Sequence, residues 1–166
     1  MYAREFTRTV LRQAVTDELS EPEWLVVRLI RLWLWQPDCR PAVAATWARA
    51  LGPVAGLTAS AALGGLVDIL ASRARRTMVL HRPLCRCVTA DERALITLLG
   101  ALQAGRSGHA DAVLRWLVPV EGRGQARFYA DRLAQTLLKN KVSIRCPAAP
   151  RPIATARFGS DVRDVG

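Results

Sequence analysis

Over most of the stretch from Ser20 to Lys139 the apolar residues of this chain return at intervals of three and four, a period that admits little besides α-helix. No alternating run of useful length appears, so no strand is expected. Ser20-Glu21-Pro22-Glu23 reads as a capping box with proline in the first turn, opening a helix that Pro37 ends. A shorter helix follows from about Pro41 to Leu51, then Gly52-Pro53 punctuates, and a long apolar helix runs from about Pro53 to Arg73 or beyond. Met78 to Val88 fits neither period, and Pro83 bars a helix through it. Thr89-Ala90-Asp91-Glu92 is a second capping box, starting a helix to Ala104 with Leu95, Leu98, Leu99 and Leu102 on one face. Gly105 to Gly108 turns the chain into a helix ending near Pro119, whose inner face is Ala110, Val113, Leu114 and Leu117. These two elements form an antiparallel helical hairpin over 90–118. Gly122 and Gly124 mark a further break, and a last helix covers about Gln125 to Lys139 with Ala126, Ala130, Leu133 and Leu137 inward. The expectation is an all-α bundle of about six helices over residues 1–139. An irregular, basic, proline-containing tail over 140–166 follows it.

At 166 residues and 51% hydrophobic content the chain suits one domain plus a tail, with enough apolar material for a core. Arg4, Glu5, Arg8, Arg12, Asp17 and Glu18 interrupt the first twenty residues, so no secretory signal is expected, and the location implied is cytoplasmic. A net charge of +10 invites an anionic partner. Lys139 and Lys141 are the only lysines, however, and an arginine surplus in a chain crowded with Ala and Leu also follows from GC-rich codons. Two blocks lack acids. The first, 69–90, carries Arg73, Arg75, Arg76, Arg82 and Arg86, and the second, 139–160, carries Lys139, Lys141, Arg145, Arg151 and Arg157. Such blocks either neutralise nucleic-acid phosphates or are solvated connecting segments.

Two helix surfaces are unusual. Turning about 100° per residue places Trp24, Arg28, Arg31 and Trp35 on one narrow stripe of the first helix, and the rest of its circumference is apolar. That stripe is expected to be open and to contact a partner, since Trp and Arg dominate interface hot spots; alternatively its arginines only cover the core. On the long helix Gly52, Gly56, Ser60 and Gly64 recur every four residues, a strip that lets another backbone approach closely. The same segment is uncharged from Ala50 to Val67, but it is thin in large apolar residues, and no membrane span is expected.

His81-Arg82-Pro83-Leu84-Cys85-Arg86-Cys87 gathers three soft ligands in the non-periodic stretch. Zinc takes four N/S ligands in a tetrahedron, and Cys39 is the first candidate to complete the set, with His109 and Cys146 behind it. Arg82 and Arg86 are expected to favour the thiolates. The competing reading is two unrelated thiols, one in the core and one exposed. The run falls one residue short of the H-x3-C-x2-C of zinc-binding anti-sigma proteins, and Pro83 forbids the helix on which that motif sits, so nothing is carried over from them. There is no phosphate loop, nucleophile elbow or HExxH, and with two histidines and few acids the chain is poorly supplied for acid–base work. The function expected is a non-catalytic binding or regulatory protein working through a protein partner or self-association, with zinc in the His81–Cys87 loop. A nucleic-acid-binding regulator using the arginine blocks is the alternative, and a metal- or redox-responsive sensor overlaps with both.

Overall fold

The computed structural model describes residues 19–146. Among them are six α-helices and no strand: α1 (Glu21–Trp35), α2 (Arg40–Leu51), α3 (Pro53–Arg73), α4 (Ala90–Gln103), α5 (Ser107–Leu117) and α6 (Val120–Lys139). A single 3-10 turn, Pro37–Cys39, joins α1 to α2. The fold is an all-α bundle, as the periodicity requires.

Local chemistry sets the helix ends. Glu23 reaches back from α1 to accept the Ser20 N–H at 2.7 Å, and Pro22 occupies the first turn, where a missing N–H costs nothing. Gly52 joins α2 to α3 at φ +85°, a backbone conformation that a side chain at Cβ would oppose. At α4 the capping box is reciprocal, with Glu92 N–H donating to Thr89 Oγ1 at 3.1 Å and Thr89 N–H donating to Glu92 Oε2 at 2.9 Å.

The long helix α3 is the centre of the bundle and packs on α2 and α6. Its small residues are what permit this. A Cβ at Gly56 would lie 2.5 Å from the backbone Cα and N of Ala48 on α2. A Cβ at Gly64 would meet the Trp33 ring at 2.5 Å, and one at Gly65 would meet the Tyr129 ring of α6 at 2.4 Å. By length and composition α3 is apolar enough to cross a membrane, and half of its most apolar stretch is buried within the bundle.

Helices α4 and α5 form the expected hairpin. Leu95, Leu98, Leu99 and Leu102 are buried against Ala110, Leu114 and Leu117, while Ala126, Ala130, Leu133 and Leu137 of α6 are fully enclosed. Two expectations need correction. Helix α6 begins at Val120, not Gln125, because Gly122 and Gly124 fall in its first turn and a half, where glycine costs about 1 kcal/mol and does not break the helix. Residues 141–146 have no regular structure, as foreseen, but they belong to the bundle. Ile144 is buried, its N–H donates to Gln103 Oε1 at 2.7 Å, and Gly100 leaves room for the Arg145 carbonyl. The rest of the expected tail, 147–166, lies outside the described residues.

The two kinds of helical glycine predict opposite outcomes. Gly56→Ala should destabilise the protein by about 1–3 kcal/mol, since the Ala48 backbone has to move. Gly124→Ala meets no atom within 4 Å and should stabilise by about 0.5–1 kcal/mol. Urea unfolding of the two variants measures both, and a Gly56→Ala protein as stable as the parent would contradict the packing of α2 on α3.

Candidate metal centre

Arg31 organises the segment between α3 and α4. It was expected on an open stripe of α1, but it is fully buried. Its Nε donates to Glu92 Oε1 at 2.7 Å and its Nη2 to Glu92 Oε2 at 2.8 Å, the two-pronged geometry that a guanidinium and a carboxylate share. The remaining donors go to backbone carbonyls of the His81–Cys87 loop. Nη1 donates to Cys85 O at 2.6 Å and Arg82 O at 3.3 Å, and Nη2 to Cys87 O at 2.6 Å. All five N–H groups are therefore used, which is how an arginine can be buried in a helical core. Glu92 is equally occupied: besides Arg31 it accepts the N–H of His81 at 3.0 Å and that of Thr89 at 2.9 Å.

The loop is thus gripped at His81, Arg82, Cys85 and Cys87 by one buried ion pair. Held this way, His81, Cys85 and Cys87 bring one ligand atom each to within 4.8 Å of one another. A tetrahedral ion with bonds of 2.0–2.3 Å has ligand–ligand edges of roughly 3.5–3.8 Å, so side-chain rotation of about 1 Å closes the group on a metal. The cluster could hold a metal ion. The Cys87 N–H already donates to Cys85 Sγ at 3.4 Å, an outer-sphere bond of the kind that orients a ligating sulfur. His81 and Cys85 are half-buried, and Cys87 is exposed.

The expected fourth ligand is not there. Cys39 sits in the 3-10 turn with its thiol donating to Gln36 Oε1 at 3.3 Å, because the Pro37 turn carries it away with the end of α1. Cys146 Sγ accepts from Arg106 Nη1 at 3.7 Å, and His109 belongs to α5. These are all the remaining cysteines and histidines of the chain. Nor do Arg82 and Arg86 act on the Cys87 thiol. The Cys87 thiol is pushed up, first by its hydrogen bond to Cys85 and then by the Cys85 charge and burial, and the cation opposing this is Arg31.

The other residues of the stripe separate. Trp24 is half-buried with the Arg31 guanidinium 5.8 Å from its ring centroid, while Arg28 and Trp35 are exposed. With Arg31 enclosed between them, Trp24 and Trp35 stand about 16 Å apart along the helix and form no continuous face. In the arginine block, Arg73, Arg75, Arg82 and Arg86 are exposed, but Arg76 is engaged by both oxygens of the buried Asp91 and lies over Trp116 at 4.4 Å. Arg75 spends its backbone N–H on Leu117 O at 3.0 Å, tying the start of the segment to α5. The second block contributes Arg145, whose Nη2 donates to the buried Glu23 at 2.9 Å. Arg151 and Arg157 lie outside the described residues. In the sequence, Asp91-Glu92 reads as part of a capping box, which accounts for Glu92 at the helix start but not for its burial against Arg31. The one clue to the buried pair is Arg31 itself, a charge on a helix with apolar residues almost all round. Comparison with protein-family models, characterised proteins and solved structures finds no match to the chain.

Two predictions follow from these charges. Arg31→Met leaves Glu92 buried without its cation and should cost about 3–5 kcal/mol, together with the chemical-shift signature of an ordered 81–87 loop. A loop spectrum unchanged in that variant would remove the clamp. Asp91 and Glu23 are both held below the usual carboxylate range. Burial alone would raise each, but Arg76 and the Val79 amide outweigh it at Asp91, and Arg145 and the Ser20 amide outweigh it at Glu23. Depressed carboxyls contribute stability that is complete above their unfolded values, 3.8 and 4.5, and is lost as pH falls through the folded ones. Stability should be flat down to about pH 5 and fall below it. Asp91→Asn and Glu23→Gln should each lower neutral stability and flatten that acid slope in urea titrations at stepped pH.

Proposed function

We propose that this is a non-catalytic binding or regulatory protein in which one zinc ion on His81, Cys85 and Cys87 sets the surface offered to a protein partner. The observation that carries the reading is the buried Arg31–Glu92 pair, which fixes the backbone of the ligand-bearing loop before any ion arrives. One imidazole nitrogen and two thiolates form a borderline-soft donor set that suits zinc better than calcium or magnesium. Thiols kept free for a metal belong to a reducing compartment, which supports a cytoplasmic location. The packing of α3 at the centre of the bundle supports a protein without a membrane span.

The surface around the loop supports the partner. Leu84 at its tip is 92% exposed, and exposed Arg28 and Arg86 stand with half-buried Trp24 around the same cleft. Such a mixture of apolar tip, indole and guanidinium is what interface centres use. The buried acids support a non-catalytic role, because Glu23, Asp91 and Glu92 are each committed to an arginine.

Elemental analysis of untagged protein with a thiol count tests the zinc. One zinc per chain, with Cys85 and Cys87 unreactive and the metal lost in Cys85→Ser, is the expected result. An ion present at a thousand times its Kd adds about 4 kcal/mol to stability, so chelation should lower the melting temperature. No metal and four freely titrating thiols would sink the reading. For the partner surface, Leu84→Asp should leave metal content and melting unchanged while abolishing association seen by sedimentation in extract of the source cells.

A further inference from the structure

Three ligands leave a zinc ion one position short, and the sequence has no unused histidine or cysteine near enough to fill it. Cys85 belongs to two places at once. It is a member of the ligand cluster, and it also lines a cleft of about 710 Å³ between the start of α1 and the loop. Trp24, Arg28, Glu21, Leu84 and Arg86 surround that cleft. We propose that the fourth position of the ion is completed from this cleft by a carboxylate carried on an exogenous ligand, with Arg28 and Arg86 as its counter-charges. The proposal rests on the zinc reading above.

Charge selects the ligand. A zinc ion with two thiolates and a neutral imidazole is neutral overall, so the ion's own site neither demands nor repels an anion. In the cleft, two guanidiniums stand against the single carboxylate of Glu21, leaving one positive charge. A singly charged carboxylate balances that, whereas a doubly charged phosphate overshoots it. Carboxylate oxygen is an ordinary zinc ligand, and the arginine fork matches its second oxygen. The Trp24 ring and Leu84 give the cleft an apolar wall for the remainder of the ligand. No bond is made or broken in the ligand, which enters by displacing a water.

Cobalt(II) in place of zinc makes the site visible, because its d–d absorption reports coordination and its sulfur charge-transfer band reports the two thiolates. The full-length protein is loaded with cobalt and titrated with acetate and, separately, with inorganic phosphate at constant ionic strength. A saturable change in the d–d bands with acetate, weakened on the order of tenfold in Arg28→Ala or Arg86→Ala at unchanged cobalt content, is expected. Cobalt bound with thiolate bands but indifferent to acetate overturns the open position while leaving the metal reading intact. A response to phosphate alone overturns the carboxylate assignment. No thiolate band at any cobalt concentration overturns both readings together.

Discussion

The contact between Arg31 and Glu92 joins α1, the start of α4 and the irregular segment before it at one point. Arg31 belongs to the interior face of α1, and Glu92 to the first turn of α4, 61 residues on. Between α3 and α4 lie sixteen residues without helix, a length of backbone that has to find partners for its N–H and C=O groups outside any ladder. The ion pair supplies many of them. Glu92 takes amides of His81 and Thr89, and Arg31 takes carbonyls of Arg82, Cys85 and Cys87. Lysine could not substitute, since three donors on one nitrogen cannot reach a carboxylate and three carbonyls in one plane. Two buried charges gain little net energy from each other once desolvation is counted. What this pair provides is conformation: a segment without periodicity is given one path across the bundle.

The same arrangement recurs at two more places. Glu23 grips Arg145 and the backbone N–H of Arg145, fastening residues 141–146 to α1. Asp91 grips Arg76 and the N–H of Val79, fastening the exit from α3 to the start of α4. In each case a carboxylate near a helix N-terminus, where the helix dipole favours negative charge, collects one guanidinium and at least one amide from an irregular segment. Irregular segments are thereby tied to helix starts. Three arginines are thereby committed against three acids, pairs that cancel in the net charge and leave the total of +10 to the residues outside them.

The helices were legible in the sequence because their signals are local. A capping box spans four residues, a proline stop one or two, and an amphipathic face repeats within a turn. The ligand cluster was legible for the same reason: His81, Cys85 and Cys87 lie within seven residues, so almost any turn brings them near one another. Gly122 and Gly124 misled because glycine punctuates a helix only at its end, and the sequence does not say on which side of these glycines the new helix starts. The burial of Arg31 was illegible on different grounds. Helical phase places a residue on a face, but whether that face meets water or another segment depends on contacts across 61 residues. The outward assignment of Arg31 followed from its charge, and it failed because the loop brings enough oxygen acceptors to solvate a guanidinium in the interior.

How the loop is held determines what a metal does for this fold. In a small zinc-dependent module the ion is the core, and without it the chain is unfolded. Here Leu63, Leu66, Leu95, Leu98, Leu99, Leu114, Leu133 and Leu137 are buried in a core built mainly from helices, and the ligand loop is tied to that core at the Arg31 clamp. Under the zinc reading proposed above, an ion would therefore meet a fold already formed and would add stability by linkage. An ion bound there would also be free to use its remaining position, since nothing in the core depends on closing its coordination sphere. The clamp on one side of the loop and the cleft on the other are consequences of the same geometry. The backbone carbonyls turn inward to Arg31, and Cys85 also contributes to the wall of the cleft.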